Sequence, residues 1–181
     1  MKKLAIIAML ALTAGAASAQ SLSGFATYDY DRHTGGTYMS VHEGHAGVKL
    51  GTPVGSFDVA AVETQDVSAS RVNNGGFEAG YSLGTTVAGL SLSGRASYGQ
   101  VESDKYYGLE AVAKVPVASK LNIFGGYRYR HALDHSTVDT DRATVGVETT
   151  VAGVTATVGY ARMISNQSVF NGVTTAVSYK F

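Results

Sequence analysis

The sequence predicts an all-β fold, a transmembrane antiparallel up-and-down β-barrel of ten strands, with eight as the alternative. Three observations predict it. Apolar and polar residues alternate with a period of two along most of the chain, which sorts them onto the two faces of a strand. Tight turns and longer polar connections themselves alternate. After residue 19 no apolar run reaches the ~18 residues of a membrane helix, so a chain that crosses a bilayer must close its sheet and leave no unpaired edge.

Residues 1–19 read as a secretory signal peptide. Lys2 and Lys3 form a positive start, Leu4 to Ala14 a short apolar stretch, and Ala17-Ser18-Ala19 a small-residue cleavage site. Residues 20–181 then make one barrel domain. The chain has no cysteine, which excludes disulfides, thiolate ligands and thiol nucleophiles. Its formal net charge is zero, so no electrostatic case exists for nucleic acid as a partner.

Ten strands are expected at 22–32, 39–51, 55–66, 75–86, 89–101, 106–117, 120–131, 140–151, 154–163 and 173–181. Tight turns are expected near Pro53, Val87, Ala118 and Ala152. Longer loops are expected at His33 to Tyr38, Val67 to Asn74, Glu102 to Lys105, Ala132 to Asp139 and Ile164 to Gly172. Within this scheme Asn73 to Gly76 read as turn chemistry. Pro116 is tolerable only because it lies near a strand end, since it donates no ladder hydrogen bond. Thr85 to Ser93 resembles Thr149 to Thr157, with Thr52 to Phe57 a looser copy. Repeated hairpin units and convergent turn chemistry both account for this.

The aromatic residues sort by level. Tyr28, Tyr30, Tyr98, Tyr127, Tyr129 and Tyr160 fall late in odd-numbered strands, and Phe77, Tyr106 and Tyr107 fall early in even-numbered ones, with Tyr38 just before one. All of these map to the loop end. Phe57, Tyr179 and Phe181 map to the turn end. Two such belts are expected at the two interfaces of a membrane. A soluble barrel would instead turn its apolar face inward, and alternation alone does not say which face is inside. The signal peptide, the belts and the terminal phenylalanine favour a charged interior.

On that choice the lumen-lining candidates are Glu43, Lys49, Glu78, Arg95, Glu110, Lys114, Arg128, Arg130, Arg142 and Glu148. Asp29, Asp31, Asp58 and Lys180 share the face, making seven acids and seven bases. Balanced charge in a small lumen predicts paired networks. They can line a narrow solute pathway or plug the barrel. At the fourth loop, His131, Asp134, His135, Asp139 and Asp141 cluster, with His33 in the first loop. Such residues can act as an acid/base pair or form a solvated loop. The spacing of His131 and His135 suits a helix and not a loop, so no metal site is expected. No phosphate-cradling glycine loop is found, and no cofactor is expected.

The last strand carries a family likeness. Val173, Thr175, Val177, Tyr179 and Phe181 alternate up to a final aromatic residue. With the signal peptide, this resembles the small porin-like outer-membrane β-barrel proteins of Gram-negative bacteria. The resemblance implies that Tyr179 and Phe181 form an assembly signal read by the barrel-assembly machinery. It also implies an outer-membrane location, with membrane lipid and lipopolysaccharide as partners, and limited passage of ions or small polar solutes without enzymatic activity. The alternative is a structural or surface-interaction (adhesin-like) barrel with a plugged lumen and functional loops. Neither the solute nor the oligomeric state is specified.

Overall fold

A computed structural model describes residues 21–34, 40–66, 72–133, 139–165 and 168–181. The expected signal peptide lies outside the described residues. The strands are β1 (Ser21–His33), β2 (Ser40–Thr52), β3 (Gly55–Asp66), β4 (Val72–Val87), β5 (Leu90–Val101), β6 (Asp104–Ala118), β7 (Leu121–Ala132), β8 (Thr140–Val151), β9 (Val154–Ser165) and β10 (Ser168–Lys180). Each pairs antiparallel with its chain neighbours, and β1 pairs with β10, so the sheet is a closed ten-stranded barrel. The seam runs from Ser23 opposite Lys180 to His33 opposite Phe170, and the Phe181 N–H donates to Leu22 O at 3.0 Å.

Burial shows which face is inside. Asp29, Asp31, Asp58, Glu78 and Arg142 are buried, while Leu83, Leu109, Ile123, Val147, Val158 and Val177 are exposed. A water-soluble fold would reverse this order. Across β6 to β9, Val115, Ile123, Val147 and Val158 stand in one register row on the outside. One residue along, Lys114, Phe124, Gly146 and Gly159 stand inside. The barrel is therefore of the transmembrane kind, with lipid as the solvent of its outer face.

Three expected connections are tighter than expected. The β9–β10 ladder continues through Met163 opposite Phe170 to Ser165 opposite Ser168, which leaves 166–167 between the strands where a loop was expected from Ile164 to Gly172. Apolar side chains there extend the pairing, and the polar Asn171 sits on the outer face without ending the strand. Asn73 to Gly76 pair with β3 as strand and not as a turn. Only Glu102 and Ser103 separate β5 from β6, with Glu102 in the left-handed region at φ 52°. Pro116 coincides with a register shift between Pro116 and Ala118, where the missing donor interrupts the β6–β7 ladder.

The two similar segments adopt one geometry. Ala88 and Gly89 have φ of 49° and 83°, and Ala152 and Gly153 have 50° and 82°. Positive φ at both central residues is the turn that matches strand twist in a two-residue hairpin. Alanine in that region costs about 1–2 kcal/mol, because its Cβ crowds the carbonyl. Ala88→Asn and Ala152→Asn should each stabilise the barrel by up to about 1 kcal/mol, read as a raised urea midpoint of unfolding in detergent. An unchanged midpoint in both variants would contradict the turn assignment.

Candidate functional site: the charged lumen

Alternation along β1–β8 aims the charged side chains into the barrel, and the register brings acids and bases to opposite walls. The carboxylates come from β1 to β4: Asp29, Asp31, Glu43, Asp58 and Glu78. The guanidiniums come from β5, β7 and β8: Arg95, Arg128, Arg130 and Arg142. Arg95 reaches Asp58 at 2.5 Å and Glu78 at 2.7 Å. Arg130 bridges Glu78 at 3.1 Å and Glu43 at 2.6 Å. Arg128 lies 3.4 Å from Glu43 and 3.7 Å from Asp29, and Arg142 lies 3.1 Å from Asp29 and 2.5 Å from Asp31. The result is one continuous chain of ion pairs across the loop-end half of the lumen.

The chain combines charge with directed bonds: Arg95 donates twice to Asp58, Arg130 donates to Glu43 and Glu78, and Arg142 donates to Asp31. Arg142 Nη2 and Asp29 Oδ1 are near each other without hydrogen-bonding geometry, and Arg128 Nε and Arg130 Nε have no hydrogen-bond partner among the described residues. Five carboxylates face four guanidiniums, and His45 adds a ring nitrogen 2.8 Å from Glu43. Glu110 lies between Arg95 and Arg128 in register, yet Arg95 turns the other way to Glu78 and Asp58 on β4 and β3, and Arg128 crosses the lumen to Glu43 and Asp29 on β2 and β1.

Below the chain, toward the turn end, is a cavity of about 390 Å³. Ser23, Lys49, Glu110, Thr157, Thr174 and Ser178 line it among others. Phe124 projects into the lumen over two glycines: a Cβ on Gly146 would lie 2.7 Å from its ring, and one on Gly159 3.1 Å. Nearer the turns, Lys114 Nζ donates to Glu148 at 2.5 Å, and Asn122 Nδ2 donates to Glu148 at 3.2 Å.

All ten expected lumen residues thus face inward, but in three groups. Glu43, Glu78, Arg95, Arg128, Arg130 and Arg142 join the chain, Lys49 and Glu110 line the cavity, and Lys114 and Glu148 pair near the turns. Tyr179 and Phe181 stand exposed at the turn end, their rings edge to face at 5.1 Å. Three residues of the site were missed in the sequence. His45 and Asn122 are inward by the same alternation. Tyr106, assigned above to the aromatic belt, points inward: its hydroxyl donates to Glu78 at 2.8 Å, and Arg130 sits 4.7 Å over its ring. It shares parity with Glu110, so period two could have identified it.

The loop cluster is divided. Asp134 and His135 lie outside the described residues. His131 and Asp139 pair at 2.9 Å, and the Tyr129 hydroxyl donates to Asp139 at 2.8 Å. Hydrogen bonds from His131, Tyr129 and the Ala132 N–H hold the Asp139 carboxyl below the usual range. The pair sits on the outer wall, where the His131 ring packs at a tilt against Tyr107, 5.0 Å between centroids. Among the described residues no group of three or more His, Asp or Glu side chains is arranged to hold a metal.

No protein-family model matches this sequence, and no curated protein matches it. Solved structures do. The chain is similar to the beta domain of the Bordetella autotransporter Brka, at 6% identity, covering 88% of this chain and 98% of that one with a TM-score of 0.52. It is also similar to the translocator domain of the autotransporter NalP from Neisseria meningitidis, at 12% identity, 98% and 96% coverage and a TM-score of 0.48. A third is KdgM porin, at 13% identity, 87% and 99% coverage and a TM-score of 0.48. At these identities the likeness is one of fold alone: the chain is a membrane-type β-barrel.

Proposed function

We propose that this protein is a porin-like barrel of the Gram-negative outer membrane, in which ions or small polar solutes pass only when the arginine–carboxylate chain parts. The observation that carries this is the chain itself, whose Asp29, Asp58, Glu78, Arg95, Arg128 and Arg142 border the lumen cavity. Nothing structural requires so many charges inside a barrel, because apolar side chains of similar volume fill a core at no desolvation cost. Charge across a constriction selects solutes. Glu110 supplies a partner already in place for Arg95 or Arg128 when either leaves its present carboxylates. Export through residues 1–19 and insertion through Tyr179 and Phe181 belong to the same reading. We assign no catalytic role to His131 and Asp139, whose position on the outer wall suits an interfacial contact.

The test is conductance in planar bilayers. The wild-type barrel should give small, infrequent steps. Arg128→Gln with Arg130→Gln should give larger steps that favour cations, since five carboxylates then face two guanidiniums of the original four. Silence from both proteins, where a control porin conducts, overturns the proposal. It would favour the second reading that the same chain supports, a plugged structural or surface-interaction barrel.

A further inference from the structure

The described residues contain six arginines, of which four point into the lumen. The other two, Arg32 and Arg162, are exposed on the outer wall. Arg32 follows the buried Asp31, and Arg162 lies between the buried Ala161 and Met163, so alternation turns both outward. They come from opposite ends of the sequence, yet the seam of the barrel brings them together. Arg32 stands opposite Asn171 across β1 and β10, and Asn171 stands opposite Arg162 across β10 and β9. Ser40 continues the row on β2.

The row has a defined depth. One pleat toward the membrane, Tyr30, Val173 and Tyr160 stand opposite one another. Tyrosine at the interface marks the headgroup level, so the arginine row lies about 6–7 Å further out. Two strand spacings place the two arginine backbones about 10 Å apart, with the Asn171 amide between them. An anion over Asn171 would stand about 5 Å from each arginine backbone, half of the two strand spacings between them. The nearest outward carboxylate on β8, Asp141, accepts a hydrogen bond from Tyr127, on the side away from β9.

We infer that Arg32, Asn171 and Arg162 form a binding site for the phosphate-monoester headgroup of a membrane lipid. A phosphate monoester offers a dianion with three terminal oxygens. Two arginine forks and an amide match this better than they match a diester or a carboxylate. The tyrosine row beneath stands at the inner edge of the headgroup layer. This site lies on the outer face, so it does not depend on whether the lumen conducts. It rests on the outer-membrane reading only for the supply of such a lipid.

The experiment uses the folded full chain in detergent, so that binding is read apart from location. Native mass spectrometry with added diphosphoryl lipid A should show one retained lipid on the wild type. Arg32→Gln with Arg162→Gln should retain about tenfold less, the loss of two charge-assisted contacts. If that variant fails to fold, the ligand is changed instead: dephosphorylated lipid A should bind the wild type about tenfold more weakly than the diphosphoryl form. Equal retention by wild type and variant, or of the two lipid forms, overturns the site. Equal binding of phosphatidylglycerol, a diester, overturns the monoester assignment.

Discussion

Arg142→Ala should cost the barrel about 3–5 kcal/mol of stability, the largest effect expected from any single lumen substitution. Arg142 is 4% exposed and is the ion-pair partner of Asp31, itself 2% exposed. Without it, Asp29 keeps Arg128 at 3.7 Å, and Asp31 loses the guanidinium that lies 2.5 Å away. Two carboxylates then share a buried corner on one strand, and like charges there resist ionisation together. Arg130→Ala should cost less, because Glu43 retains Arg128 and Glu78 retains Arg95. Urea unfolding in detergent measures both. The triple change Arg142→Leu, Asp29→Asn, Asp31→Asn should recover most of the loss, since removing a whole buried charge group avoids leaving one uncompensated. Arg142→Ala as stable as wild type would mean that water already screens this corner.

Val147→Arg should cost about 2–4 kcal/mol, the depth-dependent penalty for a cation on the lipid face of a barrel near the bilayer midplane. Val147 stands in the outer row with Ile123 and Val158, all exposed, between the tyrosine level and the turns. Thr157→Arg is the matched control. Thr157 lines the lumen cavity opposite Glu148, where a cation meets water and a carboxylate. The control should lie within about 1 kcal/mol of wild type. Equal effects of the two substitutions would contradict the assignment of inside and outside.

The sequence alone determined the strands, because period two is a local property of consecutive residues. Leu90 to Tyr98 and Leu121 to Tyr129 sort onto two faces whatever they pair with. It also determined the order of connections, since tight turns carry their own chemistry at Ala88-Gly89 and Ala152-Gly153. It placed every charged candidate on one common face. Strand ends in the β9–β10 hairpin were not legible, because a polar Asn171 ends a strand or decorates its outer wall depending on whether a neighbour continues the ladder.

Only the tertiary structure decided which face is the lumen, for alternation is symmetric until the sheet closes. Closure also decided the partners. Arg142 meets Asp31 across 111 residues of chain, and Arg130 meets Glu43 across 87. The same closure joins β1 to β10 and sets Arg32 beside Asn171 and Arg162. No local pattern holds such pairings, because they depend on shear and register around a ring and not on the spacing of residues along one strand.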